Sequence, residues 1–184
     1  MAVKFDKINE EHKKFIEAQK MFVIGSAGAN GFINVSPKGM DSFRIIDENT
    51  IVWLNYTGSG NETSAHVQEN GRMTVMFNSF DKAPLILKLY GTAEVIHNKD
   101  KEWDEMMEHF EASVGIRQFF KMNVELVLTS CGYAVPKYEY VGERETLKKW
   151  MDNKDEEGIK EYWQENNVVT LDGKETHIMQ KSRP

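Results

Sequence analysis

The residues best suited to chemistry stand together at positions 55–67, Asn-Tyr-Thr-Gly-Ser-Gly-Asn-Glu-Thr-Ser-Ala-His-Val. An apolar run ends at Tyr56 and a helical pattern begins near Glu62, which leaves several backbone N–H groups between them without partners. Gly58 and Gly60 let successive N–H groups point the same way, and the dipole of the following helix adds positive potential. Ser59, Asn61, Thr63 and Ser64 add side-chain donors. Two readings stay open: a polar turn with a Ser/Thr helix cap, or a cradle for an anion such as phosphate. Glu62 has the wrong sign for an anion and is expected to point away. The spacing is neither that of a Walker loop nor that of a Rossmann fingerprint.

A second candidate is Asn34-Val-Ser-Pro-Lys-Gly39. Pro37 fixes φ and donates no hydrogen bond, so a strand is expected to end or bulge there. Lys38 beside Gly39 puts a mobile cation at the strand exit, either solvated or meeting an anion or an electron-rich ring edge. Tyr133, Tyr138 and Tyr140 could wall a pocket, form a subunit interface or pack on an edge. The lone Cys131 reads as a small buried hydrophobe. His12, His66, His97, His109 and His177 have no metal-ligand spacing, so no metal site is expected. His66, one turn after Thr63, reads as a surface helix residue within reach of a bound anion. No GxSxG elbow is present, and no residue is assigned a catalytic role.

These side chains need a frame. A chain of 184 residues suits one domain with a real core, and 40% hydrophobic with 28% charged residues is a globular balance. The net charge of −6 and the lack of a basic cluster argue against nucleic-acid binding. One cysteine allows no internal disulfide, which fits a reducing compartment. The charged start shows no signal-peptide pattern, and no apolar run is long enough to span a bilayer, so a cytoplasmic location is expected.

The pattern predicts a helix over about 7–19 capped by Asp6, with Ile8, Phe15 and Ile16 on one side. Short β-branched and aromatic runs follow at 21–26, 31–36, 42–46 and 50–56, then a helix over 62–70 closed by Asn70-Gly71. Strands are predicted at 72–79, 84–97 and 119–133, with a bend or bulge at Gly91. In the last, Val124, Leu126 and Leu128 should share a face. Trp103, Met106, Met107 and Phe110 mark an amphipathic helix. Two short charged helices break near 152–157, and the tail after them has little pattern. Short links between six or seven strands favour a small closed antiparallel barrel over a parallel sheet.

The ordered set GFINVSPKG, FRIID, TIVWLNYTGSGNETSAHVQENGRMTVMF and LKLYGTAEVI resembles the pyridoxamine 5′-phosphate oxidase-like family of FMN-binding split barrels. The resemblance covers about residues 20–100. TSCGYAVPKYEYVGERETL and Leu171-Asp-Gly173 resemble the C-terminal part of an uncharacterised subgroup.

The resemblance implies a mainly β fold with flanking helices, a six- to seven-stranded antiparallel split barrel. It implies a homodimer with FMN at the subunit interface and a small-molecule substrate or reductant, without nucleic acid or membrane. Residues 1–184 would form a single domain with a helical C-terminal extension at about 142–184. Gly58, Ser59, Asn61 and Thr63 would line the phosphate end. Ser36, Pro37, Lys38 and Gly39 would run along the ring and ribityl chain, and Trp53, Leu54 and Asn55 would offer backbone contacts. Lys38 would face the ring's N1/O2 edge.

The authentic oxidase has an Arg-Lys pair at the phosphate turn, where this chain has Asn61-Glu62-Thr63, and its substrate-holding Arg and His are not reproduced in the tail. The expected protein is therefore a relative of the oxidase, with phosphate held by N–H groups, hydroxyls and Lys38 or Arg44. The function implied is flavin-mediated electron or hydride transfer. The alternatives are a non-enzymatic flavin-binding or stress protein, or a barrel using deazaflavin or haem.

Overall fold

The structure, a computed structural model, describes residues 2–183. Its centre is one antiparallel sheet built from β1 (Val3–Phe5), β2 (Phe22–Ser26), β3 (Asn34–Lys38), β4 (Phe43–Ile45), β5 (Thr50–Tyr56), β6 (Arg72–Asn78), β7 (Ile86–Ile96) and β8 (Ile116–Ser130). The strand order is β3-β2-β6-β7-β8-β5-β4, with β1 added on β8. The sheet curls into a half-barrel flanked by helices, as the resemblance implied, and does not close into the small barrel that the short links favoured. The eighth strand, β1, was not foreseen: three residues carry no readable alternation, and only pairing of Val3–Phe5 with Val127–Thr129 defines it.

β8 organises the sheet. Its 15 residues pair along one side with β7, and along the other with β5 and then β1. The β7–β8 register shifts between Tyr90 and Gly91, the site of the predicted bulge. A Cβ on Gly91 would collide with the Asn123 carbonyl, so only glycine lets the strands approach there. The shift skips Glu125 and breaks the expected alternation. Val124 and Val127 are buried, while Leu126 and Leu128 are only partly so.

One face of the sheet holds the main core, with Ile24, Ile51, Trp53, Val75, Leu87, Leu89, Phe120 and Met122 packed against Ile8 and Ile16. Ile16 belongs to α1 (Glu10–Ala18), which starts later than predicted. Asn9, not Asp6, caps it: Asn9 Oδ1 accepts from His12 N at 2.8 Å, and His12 Nδ1 accepts from Asn9 N at 3.2 Å. A second core lies on the other face of β5 and β8, where Val52, Leu54, Ile116 and Phe119 meet α3 (Trp103–Met107). All four predicted apolar residues of that amphipathic stretch reach this core, although the helix itself is only five residues long.

Pro37 sits inside β3, opposite Val23, where an end or bulge was expected. β3 is an edge strand, so one side of it has no neighbour that needs the missing N–H. Gly71, at φ +73, closes α2 (Glu62–Asn70) in the predicted left-handed cap. The charged C-terminal stretch forms α4 (Thr146–Asp152) and α5 (Glu156–Asn166), broken where expected. The tail adds α6 (Ile178–Lys181), whose Ile178 packs with Ile159 and Trp163 of α5.

His97, just after β7, is fully buried, and neither ring nitrogen has a hydrogen-bond partner among the described residues. Burial pushes its pKa down to about 4, with the Lys181 charge adding to the shift. The unfolded chain takes up a proton near pH 6.5 that the folded chain refuses until about pH 4. Stability is therefore full above pH 6.5 and falls through that window, by roughly 3 kcal/mol in the limit. Urea unfolding at pH 7.5 and pH 4.5 should show this loss, and a His97→Leu variant should lose correspondingly less over the same interval.

Candidate functional site

The turn between β5 and α2 gathers several buried polar residues: Asn55, Thr57, Asn61 and Thr63. From Gly58 to Thr63, no backbone N–H finds an acceptor among the described residues. Asn61 occupies the N-cap position without a side-chain capping bond, so the plain Ser/Thr-capped turn is not what forms. Its Oδ1 instead accepts from Gln118 Nε2 at 2.7 Å. Asn61 Nδ2 is buried and has no partner, and neither has Gln118 Oε1. Buried polar atoms are seldom left unpaired.

Behind this turn lies Arg117, which is 4% exposed. Its Nε and Nη2 donate to Asn55 Oδ1 at 3.2 and 2.8 Å. Its Nη1 donates to Asn167 Oδ1 at 2.8 Å and to the Gly58 carbonyl at 3.4 Å. Every acceptor is neutral, and no carboxylate lies within bridging distance among the described residues. Burial lowers its pKa to about 10, so it stays charged at neutral pH.

A register shift makes this cluster possible. Asn55 pairs with Gln118, but Tyr56 pairs with Ile116, so Arg117 is the extra residue of a bulge. Successive strand residues normally face opposite sides, and the bulge allows Arg117 and Gln118 both to donate to Asn55 Oδ1. Sequence reasoning missed Arg117 because it started this strand at Phe119. The available signal was a charged and an amide residue, Arg117-Gln118, at the head of an apolar run.

The C-terminal segment closes the cluster from outside the sheet. Asn167 Nδ2 donates to the Gly58 carbonyl at 3.0 Å, and Trp163 Nε1 donates to Thr57 Oγ1 at 2.9 Å. Both residues are buried.

Lys38, at the end of β3, lies 5.3 Å from the Trp53 ring centroid. Its ammonium group has no hydrogen-bonding or ion-pair partner among the described residues. Burial brings its pKa down to about 8; the Arg117 charge adds to the fall and Glu62 opposes it. The Glu62 carboxylate does not point away as expected. It folds back over Gly60, close enough that a Cβ there would strike Glu62 Oε2.

The other residues named from sequence divide. Asn55, Gly58 and Asn61 join the Arg117 cluster. Ser59 is exposed on the turn. Thr63 Oγ1 turns inward, accepting from Ser26 Oγ at 3.2 Å and from Asn34 Nδ2 at 3.0 Å. Ser36, Pro37 and Gly39 flank Lys38 along β3 and its exit. Trp53 stacks on Phe120 at 4.6 Å inside the main core, and Leu54 spends its N–H on the Ser42 carbonyl at 2.8 Å.

Several expectations fail. Arg44 is bound to Asp41 at 2.8 Å and lies over Phe110, so it is committed elsewhere. His66 is buried, not on the surface: its Nδ1 lies 3.1 Å from Ser26 Oγ. Cys131 is exposed. Tyr133, Tyr138 and Tyr140, for which edge packing was one of the open readings, are exposed, with the Tyr138 ring 5.5 Å from that of Phe80. No group of three or more His, Cys, Asp or Glu suited to a metal occurs among the described residues. No helix among the described residues is long and apolar enough to cross a membrane.

A curled antiparallel half-barrel with a polar strand-to-helix turn defines a class of fold, and comparison with known proteins specifies it. The family model for pyridoxamine 5′-phosphate oxidase matches residues 8–131. The chain belongs to this family. It is 34% identical over 151 residues to the pyridoxamine 5′-phosphate oxidase family protein ustO of Aspergillus flavus, covering 79% of this chain and 61% of that one. The chain thus spans less than two thirds of that curated relative's length. Among solved structures, HupZ from Group A Streptococcus is 21% identical with a TM-score of 0.52, covering 65% of this chain and 91% of its own. A Lactobacillus delbrueckii protein, provisionally named a pyridoxamine 5′-phosphate oxidase, is 19% identical with a TM-score of 0.54, covering 67% and 94%. Both likenesses concern the fold.

Asn167 offers a direct check on the cluster. Removing its amide takes an acceptor from a buried guanidinium and a donor from the Gly58 carbonyl. Asn167→Ala should lower the unfolding free energy by about 2–3 kcal/mol. Asn166→Ala, at an exposed side chain bonded only to the Tyr162 carbonyl, should cost far less in the same urea titration.

Proposed function

We propose that this chain is an FMN-binding flavoprotein and an oxidoreductase, with the flavin phosphate held at the turn 58–63. The observation that carries the reading is the run of acceptorless N–H groups from Gly58 to Thr63, backed by a buried arginine with no bonded carboxylate. A phosphate supplies what that arrangement lacks: several acceptor oxygens and negative charge. Asn61 Nδ2 is one more donor without a partner. Family membership makes FMN the first cofactor to test, and when bound it carries the electron or hydride transfer itself.

In this reading the chain's own residues bind and orient. Gly58, Ser59 and Asn61 offer donors at the phosphate end, Arg117 supplies charge from behind, and Thr63 fixes the turn against β2 and β3. Ser36, Pro37, Lys38 and Gly39, together with Trp53, Leu54 and Asn55, would hold the rest of the cofactor. Lys38 would supply positive charge to the bound group, whose added electrons need compensation. The site is completed in a homodimer. Support for this comes from Phe32, Ile33 and Val35, which are 66%, 74% and 68% exposed near the free edge of the sheet. Residues 1–184 act as one unit, with a helical extension at about 142–184 that braces the turn through Trp163 and Asn167. The reading places the protein in the cytoplasm.

The purified protein titrated with FMN should develop a bound-flavin spectrum, bind FMN more tightly than riboflavin, and sediment as a dimer. Arg117→Met should reduce the preference for FMN over riboflavin by about 10- to 100-fold. No FMN binding would overturn the reading.

Lys38 adds a pH dependence. Its pKa in the free site is about 8, and a bound anion favours its protonated form. FMN affinity should therefore hold below pH 8 and fall above it, by at most about tenfold per pH unit. Lys38→Met should abolish this fall and lower the reduction potential of bound FMN, measured by anaerobic titration.

A further inference from the structure

The least expected group at the turn is Glu62. Its carboxylate could extend into solvent from the first turn of α2, yet it bends back over Gly60. Gly60 is what leaves room for it, since any side chain there would push it out. Among the described residues it accepts no hydrogen bond and forms no ion pair. It lies amid the acceptorless N–H groups of residues 58–63, and its charge bears on both Arg117 and Lys38. Asn61 Nδ2, buried and unpartnered on the adjacent residue, is independent evidence that this turn is built for a further acceptor.

The physical situation is two buried or half-buried cations facing one unbonded carboxylate. Neither cation has a bonded anion, so the local field is positive and draws Glu62 inward. The carboxylate offsets that field without occupying the donors. We propose that Glu62 is the resident counter-ion of this site and selects its ligand by charge: a phosphate must displace or outcompete it. This inference rests on the proposal that the turn binds a phosphate. It makes Glu62 a determinant of specificity that weakens dianionic phosphate monoesters most and leaves uncharged ligands unaffected. A coulombic penalty between a carboxylate and a phosphate is screened by salt, so it should be largest at low ionic strength.

The test compares the full chain with Glu62→Gln and Glu62→Ala, using FMN, riboflavin and inorganic phosphate as probes. Flavin affinity is read by fluorescence quenching at low and at high salt. Phosphate is read by the rise in melting temperature over matched chloride. Both variants should bind FMN about tenfold or more tightly than the parent at low salt, with riboflavin unchanged. The gain should shrink at high salt, and phosphate should stabilise the variants more than the parent. Equal FMN affinity in parent and variants overturns the role of Glu62 and leaves the flavin reading standing. An equal gain for riboflavin also overturns it, since the effect would then be packing and not charge. If no flavin binds but phosphate stabilises the variants more strongly, the flavin reading fails and Glu62 as counter-ion stands. If neither flavin nor phosphate distinguishes them, the inference is wrong.

Discussion

Burial of the Arg117 guanidinium is the constraint around which the site is arranged. Taking such a group out of water costs several kcal/mol unless oxygens replace its hydration. Here the replacements come from the end of β5, the following turn and the residue after α5, as Asn55, Gly58 and Asn167. The β5–α2 junction, β8 and the residue after α5, far apart in sequence, are therefore held in one geometry by a single charge. Because the oxygens are neutral, they solvate the charge without cancelling it. The positive potential remains available on the far side of the turn, where the unpaired N–H groups lie.

The sheet makes that placement possible through irregularity. A regular β8 would send Arg117 and Gln118 to opposite faces. The register shift beside Tyr56 inserts Arg117 as an extra residue and turns it toward the turn. A second shift at Gly91 lets β8 pass from pairing with β5 to pairing with β1 without losing its contact with β7. One strand thus positions the site at one end and closes the main core at the other. Its two bulges serve those separate ends.

The framework was largely legible because its signals are local. Alternation marked most strands, Asn70-Gly71 marked the end of α2, and Gly91 marked a bulge. The turn at 58–63 was legible for the same reason, since glycines before a helix have a direct backbone consequence. What escaped depends on partners far away in sequence. β1 is a strand only because β8 is beside it. Pro37 is tolerated only because β3 proves to be an edge. His66 is buried by the strands under α2, and Arg117 acquires its role from a register that no periodicity reveals. Glu62 was expected to point away on the strength of its own sign, and it folds back over Gly60 instead.

The match to the oxidase family ends at residue 131, yet two of the groups bracing the turn, Trp163 and Asn167, lie beyond it. The family core of this chain therefore leaves Arg117 one acceptor short and the Gly58 carbonyl without its amide donor. The C-terminal helices supply both, and they do so with uncharged groups. An aspartate at position 167 would have solvated the guanidinium more strongly, but it would also have cancelled the charge that reaches the turn. Asparagine keeps Arg117 soluble in the interior and electrically active. The C-terminal segment is in this sense part of the site: it sets how much of one buried charge is felt at the place where a ligand would sit.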